Sequence, residues 1–236
     1  MTHIQTDSTG TNRYYKDASC TVLHRDDGPA VEYAKGTNMW YTDGQLHRDD
    51  GPAVEFMDGE RRWYQHGHIH RDDGPAVEHT DGRLVWYQHG YAHREDGPAV
   101  IRPCGREEWY RKGRLHRVDG PAIVRDNDDR EWWLNGKLHR EDGPAVEYHN
   151  GDREWYRNDK PYRADGPAVE RSDGHIEWYN NRGRKHRLDG PAVRTSDGKI
   201  QWWIDGKRST EQKVKAAYDA IMTMTHDELI QHALRG

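Results

Sequence analysis

A mainly β fold is what this sequence predicts: an elongated antiparallel array of β-hairpin repeats, closed by a C-terminal helical cap. Three observations predict it. A 23-residue period runs through most of the chain, turn-forming pairs cut each period into segments too short for helices, and a tryptophan recurs at one place in every period.

Residues 1–23 lack the full period, but Tyr14-Tyr15 and Val22-Leu23 resemble the last half of a repeat, which predicts an N-terminal cap pairing with the first complete strand. Residues 24–207 hold eight repeats. His-Arg-x-Asp-Gly-Pro-Ala occurs at 24–30, 47–53, 70–76, 93–99, 116–122 and 139–145. The seventh copy begins at Tyr162 in place of His and keeps Arg163, Asp165, Gly166, Pro167 and Ala168. The eighth begins at His186, after one inserted residue near Arg182.

Three turn signals divide each repeat: Asp-Gly-Pro at its start, a middle pair such as Asp58-Gly59, and a late pair such as Asp43-Gly44. Such pairs supply the positive φ angles of two-residue hairpin turns. Between them lie Pro29–Tyr33 and Asn38–Thr42, short and rich in β-formers, so each repeat reads as one hairpin plus a link. Proline opens the first strand, where its missing N–H disturbs the ladder least.

The structural ladder is Trp40, Trp63, Trp86, Trp109, Trp132, Trp155, Trp178 and Trp202. The alanine of every corner (Ala30, Ala53, Ala76) marks a site too close to a neighbouring ring for a larger side chain, and an indole is expected over it. Side chains alternate along a strand, so Val31, Val54 and Ile123 are expected on the other face, with Tyr41, Trp133 and Trp203. Sixteen such strands at about 4.8 Å spacing would make a twisted body of order 75 Å, each repeat stable only on its neighbours.

Residues 208–236 change character. Ser209-Thr-Glu-Gln212 reads as a capping box opening a helix with Val214, Ala217, Tyr218 and Ile221 on one side. Thr225-His-Asp-Glu228 reads as a second one, before Leu229, Ile230, Ala233 and Leu234. The first role expected of this helical pair is a lid over the exposed edge of the last strand. The second is a docking element that could join copies of the chain into a homo-oligomer.

Composition supports a thin aromatic core. Only 33% of residues are hydrophobic and 33% are charged, a balance that alone would suggest disorder, yet the chain carries 10 Trp and 13 Tyr. A net charge of -5 gives no global attraction to nucleic acid or anionic lipid. Cys20 and Cys104 occupy unlike positions in the period, which predicts neither a disulfide nor a thiol metal site. With no apolar run near the ~20 residues of a membrane span and no hydrophobic leader, the expected compartment is the cytoplasm.

A hairpin unit of this length, with Gly-bounded turns, an aromatic in its second strand and an Asp-Gly corner, resembles MORN-type β-hairpin repeats. The Asp-Gly-Pro-Ala corner resembles a variant of tailed-phage and bacterial proteins. The resemblance covers about residues 24–207. It implies an elongated sheet used for protein–protein contact, as by a phage-encoded modulator in the host cytoplasm. Lipid binding is not carried over, because this chain places Trp where Tyr is common and His-Arg before the corner.

No catalytic residue is predicted: eight equivalent corners offer no unique site, and the chain holds no G-x-S-x-G, P-loop, H-E-x-x-H or dinucleotide fingerprint. Eight Arg (25, 48, 71, 94, 117, 140, 163, 187) at fixed offset from eight Asp (27, 50, 73, 96, 119, 142, 165, 189) read as mutual pairs. His66, His68 and His70 form an H-x-H-x-H run, but they straddle a turn with no specified thiol or carboxylate, so no metal or cofactor is expected.

Recognition is expected where the period varies. The position after the corner valine reads Glu32, Glu55, Glu78, Ile101, Val124, Glu147, Glu170, Arg194. The one before the Trp reads Met39, Arg62, Val85, Glu108, Glu131, Glu154, Glu177, Gln201. An apolar interruption formed by Leu84, Val85, Ile101 and Val124 is therefore the expected partner-binding patch on a non-enzymatic protein-binding scaffold. The alternative is a small-ligand or nucleic-acid binder using the Arg, His and Trp ladders, which a steep salt dependence would reveal.

Overall fold

A computed structural model describes residues 2–224. The fold is mainly β, made of antiparallel hairpins, with a single α-helix near the C-terminus among the described residues. The chain divides into two compact units, Met1–Asp126 and Asn127–Gly236.

In the first unit, β1 (His3–Thr6) and β2 (Asn12–Tyr15) form a hairpin, and β2 continues the ladder by pairing with β3 (Val31–Glu32). β3 pairs with β4 (Asn38–Met39), then β5 (Tyr41–Thr42) folds back on β6 (Gln45–Leu46), and β4 pairs onward with β7 (Val54–Glu55). Each repeat thus carries two hairpins where the sequence reading expected one hairpin and a link. The first belongs to the continuous ladder, and in the first six repeats the second stands apart as its own two-stranded pair. The pattern repeats through Glu107–Glu108 and Ile123–Val124. The second unit repeats it from Arg130–Glu131 to Ile200–Ile204, which pairs with Lys207–Ser209.

The two hairpins use different turns. At the late pair, Asp43 and Gly44 both have positive φ (49° and 79°), as a two-residue type I′ turn demands. At the middle pair only the glycine does. The Gly36 N–H bonds the Tyr33 carbonyl at 2.8 Å and the Tyr33 N–H bonds that of Thr37 at 2.9 Å, a turn closed by a left-handed glycine bulge. The late turn of the seventh repeat absorbs the inserted residue. There Asn180–Gly183 closes the wider form, with Gly183 N–H on the Asn180 carbonyl at 2.9 Å.

The core is two rows of small side chains. Ala30, Ala53, Ala76, Ala99 and Ala122 in the first unit, and Ala145, Ala168 and Ala192 in the second, have no exposed surface. Every corner valine or isoleucine is buried as well, from Val31 to Val193. The Trp N–H of one repeat bonds the Ala carbonyl of the next, as Trp40 does to Ala53 at 2.8 Å and Trp63 to Ala76 at 2.9 Å.

The helix α1 (Glu211–Met222) starts one residue later than the predicted box. Thr210, not Ser209, is the N-cap, its hydroxyl accepting the Lys213 N–H at 3.4 Å. α1 packs on the Ile200–Ile204 strand, with Val214 fully buried. The second predicted helix, from Thr225, lies outside the described residues. Cys20 and Cys104 are free thiols. No helix among the described residues is long and apolar enough to cross a membrane.

Candidate functional site

The recurring chemistry is built at the corners, and the Arg71 corner shows how. Its guanidinium lies 4.2 Å from the centre of the Trp63 ring of the preceding repeat, within cation–π range. Its opposite face rests on Gly74, where an added Cβ would sit 2.9 Å from the guanidinium carbon. This glycine has no positive φ, so its conserved smallness along the chain makes room for arginine rather than for a turn. The Arg71 Nε donates to Asp73 at 2.8 Å, and one terminal nitrogen donates to the Pro75 carbonyl at 3.3 Å and to Glu78 at 3.2 Å. That pairing holds the Asp73 carboxyl below its ordinary value.

The same sandwich recurs at Arg48, Arg94, Arg117, Arg140, Arg163 and Arg187, each 3.9 to 4.3 Å above the Trp of the repeat before it. Arg25 does the same 4.0 Å over Tyr14, which takes the tryptophan's place in the N-terminal hairpin. The ladder tryptophans are half-buried, including Trp202, over which no cation is stacked among the described residues. Sequence reasoning found the Arg–Asp pairs but missed the Arg–Trp–Gly sandwich. The signal was present: Arg follows Trp by eight residues and precedes Gly by three, as in Trp40, Arg48 and Gly51.

The corner histidines serve the second hairpin. In His24, His47, His70, His93, His139 and His186 the Nδ1 accepts the N–H of the first late-turn residue at 3.0 to 3.3 Å. The proton of such a ring is then on Nε2, which in His70 lies 3.1 Å from Asp72. His66 stacks on His47 and His89 on His70, with ring centres 4.6 and 4.5 Å apart. The H-x-H-x-H run is therefore divided between two stacks. Among the described residues no three His, Cys, Asp or Glu gather around a common centre.

The residues before the tryptophans are not an exposed acidic stripe. Glu108 and Glu154 are buried, and each accepts the hydroxyl of the tyrosine two residues on, Tyr110 and Tyr156, at 3.0 Å. Burial first, and the carboxylate second, push both phenols up to about 12. Arg106 lies 2.7 Å from Glu108, and Arg171 2.5 Å from Glu154.

The proposed patch splits in two. Val85 is 7% exposed and packs with Val77 and Val100, with Tyr87 and Tyr110 against them, so it belongs to the core and cannot meet a partner. Leu84, Ile101 and Val124 are half-buried on the other face, where Leu84 pairs with Ile101, and Glu107 with both Ile101 and Val124. Elsewhere that row carries the glutamates that close the corners: Glu32, Glu55, Glu78, Glu147 and Glu170 lie 2.7 to 3.2 Å from Arg25, Arg48, Arg71, Arg140 and Arg163.

Two further surfaces stand out. A polar groove of about 420 Å³ between the Arg48 and Arg71 corners is lined by four carboxylates, Asp49, Asp50, Asp72 and Asp73, against those two guanidiniums. An apolar cleft of about 480 Å³ is lined by Tyr33, Met39, Phe56 and Met57 beside the first hairpins.

No protein-family model matches the sequence, and no curated protein does. Among solved structures, the chain is similar to the TCP10 domain of Danio rerio CPAP, at 16% identity over 88% of this chain and 81% of that one. The TM-score is 0.23, too low for the likeness to inform either fold or role.

Proposed function

We propose that the chain is a non-enzymatic repeat scaffold that binds a protein partner through the row holding Leu84, Ile101 and Val124. The observation that carries this reading is where the recurring chemistry goes. Arginine is sandwiched on tryptophan, its aspartate is paired, and histidine caps a turn, so these groups hold the repeats together. The grooves between the Arg25, Arg48 and Arg71 corners are richer in carboxylate than in guanidinium, which disfavours phosphate and hence nucleic acid there. At Ile101 and Val124 two adjacent repeats replace the glutamate of that bonding with an apolar side chain. The phage resemblance of the corner motif suggests a host protein as partner.

The test compares proteins captured by the wild-type chain and by Ile101→Asn/Val124→Asn, with circular dichroism confirming that both fold. A protein retained by the wild type and lost by the variant supports the reading. Identical captured sets, or none with the wild type, would count against it.

A further inference from the structure

Five corners show what ligand this guanidinium takes once its aspartate is in place. Arg25, Arg48, Arg71, Arg140 and Arg163 each hold a glutamate from the row described above. At Arg94 and Arg117 that carboxylate is replaced by Ile101 and Val124. Both arginines keep the other contacts. Arg94 bonds Asp96 at 3.0 Å and the Pro98 carbonyl at 3.5 Å, and Arg117 bonds Asp119 at 3.0 Å and the Pro121 carbonyl at 3.4 Å. They remain stacked on Trp86 and Trp109, so both are held in the pose that receives a carboxylate in the other repeats.

Between these corners, in register with Ile101 and Val124, stands Glu107, for which no ion pair is formed within 4 Å among the described residues. The face therefore presents cation, anion, cation, floored by Leu84, Ile101 and Val124. Equivalent strands of consecutive repeats are two ladder steps apart, about 9.6 Å. An α-helix returns to one face after seven residues, about 10.5 Å along its axis. An extended strand fits worse, because its same-face residues come only every second position, at about 6.7 or 13.4 Å.

Resting on the scaffold reading above, we infer that this face binds an amphipathic acidic helix of a partner protein. Two carboxylates seven residues apart pair with Arg94 and Arg117, a lysine midway faces Glu107, and an aliphatic side chain beside it packs on Ile101 and Val124. The pattern is Glu-x-x-Lys-Leu-x-x-Glu. Charge-assisted bonds to a guanidinium already fixed in place lose little side-chain freedom on binding.

The test is fluorescence anisotropy of the full chain with a labelled helical peptide carrying that pattern, beside one with both glutamates changed to Gln and one with both changed to Lys. The acidic peptide should bind about tenfold or more tightly than the Gln peptide, with the Lys peptide weaker still. Ile101→Glu/Val124→Glu installs the glutamates the other repeats use. It should fold, with a thermal midpoint no lower than wild type, and lose about tenfold or more in affinity for the acidic peptide. Equal affinity for the Glu and Gln peptides, unchanged affinity in that variant, or no binding of the acidic peptide at millimolar concentration would each overturn the inference. Equal Glu and Gln binding that is lost in Ile101→Asn/Val124→Asn would overturn the carboxylate pairing alone and leave the apolar docking face standing.

Discussion

Gly74→Ala isolates the corner sandwich, because the backbone there needs no special conformation. On a compatible backbone this substitution stabilises a protein by about 0.4–1 kcal/mol through the unfolded chain. Here the new methyl would lie 2.9 Å from the Arg71 guanidinium carbon, and the guanidinium must leave. Leaving forfeits the stack on Trp63 at 4.2 Å, about 0.5–2 kcal/mol, and the bond to Glu78, about 1 kcal/mol for a half-buried pair. The net expectation is a loss of about 1–2 kcal/mol in urea unfolding followed by tryptophan fluorescence. In an Arg71→Met background the methyl has no guanidinium to displace, so Gly74→Ala should be neutral or stabilising. The double-mutant cycle should therefore return a coupling of about 1–3 kcal/mol. Additive effects, or the same loss in the Arg71→Met background, would refute the claim that glycine is there to seat arginine.

Val85→Ala should cost about 1–3 kcal/mol in the same assay, because Val85 is enclosed by Val77 and Val100; a change under 0.5 kcal/mol would return it to the surface. Burial lowers the His186 pKa from its ordinary 6.5, so the unfolded chain binds the proton more readily. The stability His186 contributes should be full above pH 6.5 and fall as pH drops below it, and His186→Asn should flatten the thermal midpoint between pH 7 and 5 relative to wild type. Tyr110 and Tyr156 stay protonated in the folded chain to about 12, against an ordinary 10.0, so stability should decline as pH rises past 10. Tyr110→Phe/Tyr156→Phe should blunt that decline, and an ultraviolet titration should show two fewer late-ionising phenols.

The fold was legible because a period is visible without any alignment. Turn pairs, alternating β-formers and a fixed tryptophan all point to stacked hairpins, and the ladder follows that order. The second hairpin was missed because Tyr41–Thr42 and Gln45–Leu46 are two residues each, too short for any alternation to register. The patch was half legible. Leu84, Ile101 and Val124 break a polar row, but Val85 sits one residue from Leu84 and so faces the other way, and a run of apolar letters hides that change of side. The acidic residues before the tryptophans misled for a related reason. A glutamate reads as solvent-facing, and only the tyrosine two places on reveals that Glu108 and Glu154 are buried acceptors.

Because each corner arginine from Arg48 onward reaches back to the tryptophan of the preceding repeat, the junctions between repeats share one arginine–tryptophan stack. Excising residues 48–70 would bring Arg71 to Trp40, the partner Arg48 has now, and splicing in another 23 residues would do the reverse. The array can thus change length by whole modules without inventing a new boundary, and an engineered chain shortened or lengthened by 23 residues should keep its stacks.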